Sequence, residues 1–418
     1  MSTLNREANH VLVACASDFQ DTPYGGTLSL VRDLLSGWSD EPGWRFTLVG
    51  LARPSGGMTS RGVRDIGGRS IPFLSVGHVE PGARGSIRLA FMRGLMRRRH
   101  AIRDLQPDLI YVHSPEAARA LSWVLKDVPL VLHCHGIHNP LTLFHNPLTL
   151  SRYRFARSFG IPATYDRMIY RPALAAASLV LVNGDASQYR TFLSRNLQFL
   201  DGSVRRVPAT VDLTIFRSVD RGRARRELGL GNSESVAIFV GRLEAPKGLD
   251  FVLRSMAALE SRGRDVRLLV VGEGAHRSAL ESLTSELGLT ERVTFLGRRP
   301  RPEIPRYLSA ADVFVSGTVR EAVSMALLEA FACGVPAVVT DGGGAHELIV
   351  DGRNGYVVAD RDPVVFGERL WTVASTRGAM AEDCRRVAER YSAHAIGREV
   401  LQAFGELLLT GQLRAEAS

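Results

Sequence analysis

The chain has 418 residues, 45% of them apolar and 23% charged, with a formal net charge of +9. This composition matches ordinary globular protein, and no run of about 18 apolar residues occurs that could cross a bilayer as a helix, so a soluble protein is expected. The length is too great for a single core and suits two domains of about 200 residues each.

The first eighteen residues, MSTLNREANHVLVACASD, hold no basic region followed by a long apolar one. They run directly into a strand, so no signal peptide is expected and the expected location is cytoplasmic. Cys15, Cys134, Cys333 and Cys384 are scattered with no Cys-x2-Cys pair. That fits reduced buried thiols better than disulfides or structural zinc.

Short apolar runs then recur, separated by helical patterns. The first series is HVLVACA (10–16), FTLVGL (46–51), DLIYVHS (108–114), LVLHCH (130–135) and SLVLVNG (178–184). These read as buried parallel strands. After the first of them, Gly25 and Gly26 precede a helix over 28–35, and paired glycines let a backbone approach an anion closely.

The stretch 84–103, RGSIRLAFMRGLMRRRHAIR, opens on Arg84, closes on Arg103 and holds seven arginines and no acid. Ile87, Phe91 and Leu95 recur at helical spacing, while Arg98 falls on the apolar arc. It reads equally as a helix lying on an anionic membrane surface and as a solvated basic helix. No helix-turn-helix, finger or aromatic-interleaved strand supports a nucleic-acid partner.

His133 and His135 share one face of a strand, with His113 in the strand before. A metal is discounted here because no carboxylate cluster or Cys pair nearby completes a set of three or four ligands. HNPLTL follows at 138–143 and again at 145–150. It reads as an extended acceptor-side loop or as a local duplication without a role.

A polar break at 217–226 leads into a second series: VAIFVG (236–241), RLLVVG (267–272), VTFLG (293–297), DVFVS (312–316) and PAVVT (336–340). Two such series imply two doubly wound domains, with the active site in the cleft between them. The expected division is 1–216, 217–385, and a helical segment 386–418. Arg242 and Lys247 frame the turn after the first strand of this series, where two cations can hold a diphosphate without a metal. Gly272 and Gly274 flank Glu273 at the end of the next strand; with Arg at 277 this is no dinucleotide fingerprint.

Glu321 and Glu329 stand eight apart around a helix start, with Ser324 as the expected N-cap and Gly334 and Pro336 as the stop. A helix N-terminus suits a phosphate and the flanking carboxylates suit hydroxyls, which together suggest a nucleotide sugar. Val400, Phe404 and Leu407 mark a last helix.

The Glu-x7-Glu pair, the continuation LLEAFACGVP, the run from Gly342 to Gly344, Glu347 and Gly355 together resemble the retaining glycosyltransferases of family 4. The resemblance implies the α/β GT-B fold, two Rossmann-like domains facing across a cleft, with the last helix crossing back to the first. It implies transfer of a sugar from a nucleoside diphosphate-sugar to a hydroxyl acceptor in glycan or glycoconjugate biosynthesis, with no cofactor or metal. Arg242 and Lys247 would then hold the diphosphate, Gly25 and Gly26 would reach the phosphate, and Gly272 and Gly274 would form the glycine turn near the nucleotide. Glu329 would take the ribose hydroxyls, Glu321 would touch donor-sugar hydroxyls close to the reacting carbon, and His135 would contact the donor sugar. Gly297 and Arg298 would frame the base.

Two positions depart from the family: Ala322 stands where glycine is usual, and Ala209-Thr210 replaces Asn-Gly. A GT-B sugar-nucleotide epimerase and a non-catalytic nucleotide-sugar-binding protein are the alternatives. The location could extend to the inner face of the membrane if the basic helix adsorbs there.

Overall fold

A computed structural model describes residues 8–20, 26–38, 41–52, 61–78, 86–135, 161–184, 186–319, 324–342 and 344–416. The chain divides into two compact units, Met1–Pro208 with Ile396–Ser418, and Ala209–Ala395.

In the first unit the strands are β1 (Asn9–Ala14), β2 (Trp44–Ala52), β3 (Arg61–Ile66), β4 (Arg69–His78), β5 (Leu109–Val112), β6 (Leu130–His135), β7 (Leu179–Asn183) and β8 (Ser203–Val207). They form one sheet in the order β3-β4-β2-β1-β5-β6-β7-β8. Pairing is parallel except between β3 and β4. Parallel strands are covered by helices on both faces, which is why β1 is apolar from Val11 to Ala14 and β5 along its whole length.

The β3–β4 hairpin escaped the sequence reading because its outer strand is short and mostly polar. Ile66 pairs with Arg69, and Gly67 and Gly68 make the two-residue turn with φ of 59° and 78°. Both positive angles are what a tight hairpin demands.

The helix Ala393–Glu416 packs against this first unit from Ile396 onward. Phe404 lies 5.2 Å from Tyr111, 5.9 Å from Trp38 and 6.2 Å from Trp44, centre to centre. The fully buried Trp38 donates its indole N–H to the Gly397 carbonyl at 2.8 Å.

The second unit holds β9 (Ser235–Val240), β10 (Val266–Val271), β11 (Val293–Gly297), β12 (Val313–Ser316), β13 (Ala337–Thr340) and β14 (Gly355–Val358), ordered β11-β10-β9-β12-β13-β14 and all parallel. The expected division at 216 and 385 shifts. Ala209, Val211 and Phe216 are buried in the second unit's core, and that unit runs on to Ala395. The polar stretch after Phe216 is no linker; it leads into the helix Arg221–Glu227, whose Arg225 is fully buried.

Arg225 explains its own burial. Its guanidinium donates to the carbonyls of Ala310, Gly231, Asn232 and Glu234, and at 2.6 Å to Asp312. Asp312 also accepts from Arg221 at 2.6 Å and from the Val236 backbone N–H at 2.9 Å. The pair thereby ties the helix to the start of β9 and β12. The cysteines in the described residues are free thiols, Cys15, Cys333 and Cys384 being buried and Cys134 half-buried. Burial pushes the Cys15 thiol up to about 11 and Cys134 up to about 12, so neither is a reactive thiolate.

Removing one partner of a buried pair leaves an uncompensated charge, so Asp312→Ala should destabilise the second unit by about 3–5 kcal/mol. Urea unfolding followed by circular dichroism should show an earlier transition; an unshifted midpoint would refute the role given to this pair.

Candidate functional site

In a doubly wound sheet, ligands bind beyond the carboxyl ends of the strands, where the strand order reverses. In the second unit that point lies between β9 and β12, and the turns leaving these strands and β10 are locked together by glycines. A Cβ on Gly272 (φ 150°) would stand 1.8 Å from the Gly241 carbonyl oxygen, and one on Gly274 2.3 Å from that of Leu243. A Cβ on Gly248 (φ 64°) would stand 1.9 Å from the Gly317 carbonyl, and one on Gly317 2.2 Å from that of Gly248. The obstacles are backbone atoms, which cannot swing aside.

Three backbone hydrogen bonds fasten the same turns. The Leu243 N–H donates to Glu273 O at 3.0 Å, the His276 N–H to Leu243 O at 3.0 Å, and the Val319 N–H to Pro246 O at 3.1 Å. Gly272 and Gly274 are thus glycines because the Arg242 turn rests on them, a reason the sequence reading did not see.

Arg242 extends from that turn, exposed, with Glu244 2.8 Å from its guanidinium. Lys247 ends the short 3-10 turn Ala245–Lys247, immediately before the helix Leu249–Glu260 that buries Val252, Met256 and Leu259. Glu329 lies on the helix Met325–Ala332, its side chain 12% exposed, with the 13%-exposed Arg301 at 3.6 Å. Ser324 is the N-cap as expected, yet its hydroxyl makes no capping bond; Gly334 ends the helix with φ 71°.

Arg301 and Thr318 escaped the sequence reading. Arg301 was hidden in the Arg-Pro run after β11, and only its place beside Glu329 singles it out. Thr318 is buried, its hydroxyl 2.7 Å from that of Ser316 and its carbonyl accepting from Thr340 Oγ1 at 2.7 Å. Gly25, Glu321, Ala322 and both HNPLTL copies lie outside the described residues.

In the first unit the order reverses between β1 and β5. Gly26 opens the helix Gly26–Gly37 after β1. His113 follows β5, and His133 and His135 close β6. The fold thus supplies the third imidazole that local sequence lacked, with one ligand nitrogen from each ring lying within 4.8 Å of the others. Burial depresses His113 well below the usual imidazole range and His133 to about 3, so both rings are neutral at physiological pH.

The basic stretch forms the helices Ile87–Arg97 and Arg99–Arg103, broken at Arg98. The break turns Arg98 away from the apolar arc and leaves it exposed with Arg93, Arg97, Arg99 and Arg103. Phe91, Leu95 and Ile102 are consumed by the core, so the outward face is cationic and offers little apolar surface for insertion. No helix among the described residues is long and apolar enough to cross a membrane.

Residues 220–391 match the family model of the group 1 glycosyl transferases, and residues 25–191 that of the glycosyl transferase 4-like domain. The D-inositol 3-phosphate glycosyltransferase of Segniliparus rotundus is 30% identical over 329 residues, covering 77% of this chain and 69% of that protein. Its counterpart in Nocardia farcinica is 32% identical over 304 residues, 69% of this chain, and the match spans 63% of that relative's own length. The chain belongs to the group 1 glycosyltransferases of family 4.

Solved structures agree on the fold. Sucrose-phosphate synthase from Thermosynechococcus elongatus superposes with a TM-score of 0.77 at 19% identity, over 96% of this chain and 100% of that one. Anabaena HepE in complex with UDP-glucose gives 0.66 at 20% identity, over 95% and 99%. The fold is GT-B.

If the glycine contacts hold the Arg242 turn in place, Gly272→Ala should keep its secondary structure by circular dichroism while affinity for the nucleoside diphosphate-sugar proposed below falls about tenfold or more by calorimetry. Unchanged affinity would detach that turn from ligand binding.

Proposed function

We propose that the protein transfers a sugar, with retention and without a metal, from a nucleoside diphosphate-sugar to a hydroxyl acceptor. The observation that carries this reading is the turn bearing Arg242 and Lys247, fixed at the strand-order reversal of the second unit, with Glu329 on the helix that follows β12. Two cations replace the water around a diphosphate, and a carboxylate accepts hydrogen bonds from ribose hydroxyls. The HepE complex with UDP-glucose supports a donor of this class, and the relatives' name puts a phosphorylated inositol first among acceptors to try.

In this reading the acceptor hydroxyl attacks from the face the leaving group vacates. The bond from the anomeric carbon to the diphosphate oxygen breaks through an oxocarbenium-like ion pair as the new glycosidic bond forms. The departing diphosphate oxygen takes the acceptor's proton, so no separate base is consumed. A double displacement on Glu321 is the rival, and trapping a sugar on that carboxylate would establish it.

The test is donor binding and acceptor-free hydrolysis across UDP-, GDP-, ADP- and TDP-sugars in EDTA. One donor should bind, and Arg242→Ala combined with Lys247→Ala should abolish its binding. Epimerisation of a UDP-sugar without acceptor would favour an epimerase, and binding with neither transfer nor hydrolysis a non-catalytic binding protein.

The arginine face at 93–103 is assigned in the same proposal to the anionic inner surface of the membrane, by adsorption alone. The protein should partly co-sediment with phosphatidylserine-containing liposomes at low ionic strength and be released at about 1 M salt, where the screening length is about 3 Å. Complete recovery in the low-salt supernatant would remove the membrane from the account.

A further inference from the structure

The side chains of Tyr111, His113, His133 and His135 make a connected polar group at the carboxyl ends of two adjacent parallel strands. The pairing of Tyr111 with Val131 and Val112 with Leu132 brings His113 level with His133, and alternate residues of a strand share a face. Two bonds organise the group. The Tyr111 hydroxyl lies 2.5 Å from His133 Nδ1, and His113 Nδ1 lies 2.8 Å from His135 Nε2.

The second bond runs along the line joining the rings. Their centres are 5.1 Å apart while the bonded nitrogens are 2.8 Å apart, and the ring planes differ by 28°. The imidazoles therefore meet edge to edge in nearly one plane, each presenting a nitrogen to the other. A metal ion needs lone pairs converging on a common point about 2.0–2.1 Å from each nitrogen. Two nitrogens aimed straight at each other leave space for a proton and none for zinc, and His133 Nδ1 is occupied by Tyr111.

Which ring supplies that proton is decided by the far side of His113. Its Nε2 is buried and has no hydrogen-bond partner. A proton there would be a buried N–H with no acceptor, the rarer and costlier defect, whereas a bare nitrogen leaves only an acceptor unused. The His113 proton then sits on Nδ1 and is donated to His135 Nε2. A neutral imidazole carries one proton, so that of His135 sits on Nδ1.

We propose that His113 is a positioning residue that holds His135 in its Nδ1–H tautomer, so that His135 acts toward the donor sugar as a hydrogen-bond donor and cannot take a proton through Nε2. This rests on the proposed function together with the resemblance to family 4, which implies that His135 touches the donor sugar, and it fits a reaction in which the leaving diphosphate takes the acceptor's proton.

The tautomer can be tested apart from the activity. In the full-length protein labelled with 15N-histidine, the His135 signals are assigned by their loss in His135→Gln. The expected wild-type spectrum shows His135 Nδ1 protonated and Nε2 bare, and His113→Phe should move His135 toward the Nε2–H form. A wild-type His135 already protonated on Nε2 would overturn the proposal. So would unchanged His135 signals in a folded His113→Phe, or one equivalent of zinc retained through dialysis.

With UDP-glucose as probe, His113→Phe should slow acceptor-free hydrolysis roughly 10–100-fold while UDP affinity stays unchanged. His113→Asn, whose amide N–H can stand where Nδ1–H stood, should restore most of it; equal loss in both variants would count against the bond. If the wild type neither binds nor hydrolyses UDP-glucose, the donor reading fails for that sugar while the spectra still decide the tautomer.

Discussion

Backbone resting on backbone at the carboxyl ends of β9, β10 and β12 is the constraint on which the second unit's site depends. Turns that project from separate strands have no reason to keep a fixed spacing unless something fills the gap between them. Here the filler is the neighbouring main chain itself, with Gly272 against Gly241 and Gly248 against Gly317. Main chain has no rotamers, so the basis for Arg242 and Lys247 is stiffer than side-chain packing would give. The cost falls on sequence freedom, because Gly248 and Gly272 also hold positive φ that other residues adopt only under strain.

The first unit reaches the same end by different chemistry. Tyr111 is both the partner of His133 and part of the aromatic seat under Phe404. The helix that returns from Ile396 therefore packs on the residue that anchors the histidine group. Burial pushes the Tyr111 phenol well above its ordinary range, so it stays protonated and neutral. Charge is kept out of this region, while the second unit's turns carry exposed ionised groups.

What could be read in advance follows from the range of the forces involved. Parallel strands with a buried apolar core announce themselves as continuous apolar runs, and ten strands were legible, the half-buried edge strand β11 among them. β8 and β14 are short edge strands with partly exposed side chains, and β3 is a polar edge strand, so their period was weak. The helix Met325–Ala332 was legible because its stop is set by Gly334. Arg301 beside Glu329, His113 beside His135 and the depth of Arg225 were not, because each depends on a contact between elements far apart in sequence.

The ion pairs show how one chain uses the same two charges in opposite ways. Arg225 and Asp312 are buried and fully hydrogen-bonded, so neither can leave without stranding the other. Arg242 and Glu244 face solvent, at 55% and 35% exposure, where such a pair contributes only about 0–1 kcal/mol. A weak exposed pair keeps the guanidinium oriented without holding it. The proposed diphosphate, with about two charges and several acceptor oxygens, can displace one carboxylate at little cost. Arg301 and Glu329 lie between these extremes, sheltered yet 3.6 Å apart. That spacing keeps the carboxylate beside a positive charge, the setting in which the proposed function has it accept hydrogen bonds from ribose hydroxyls.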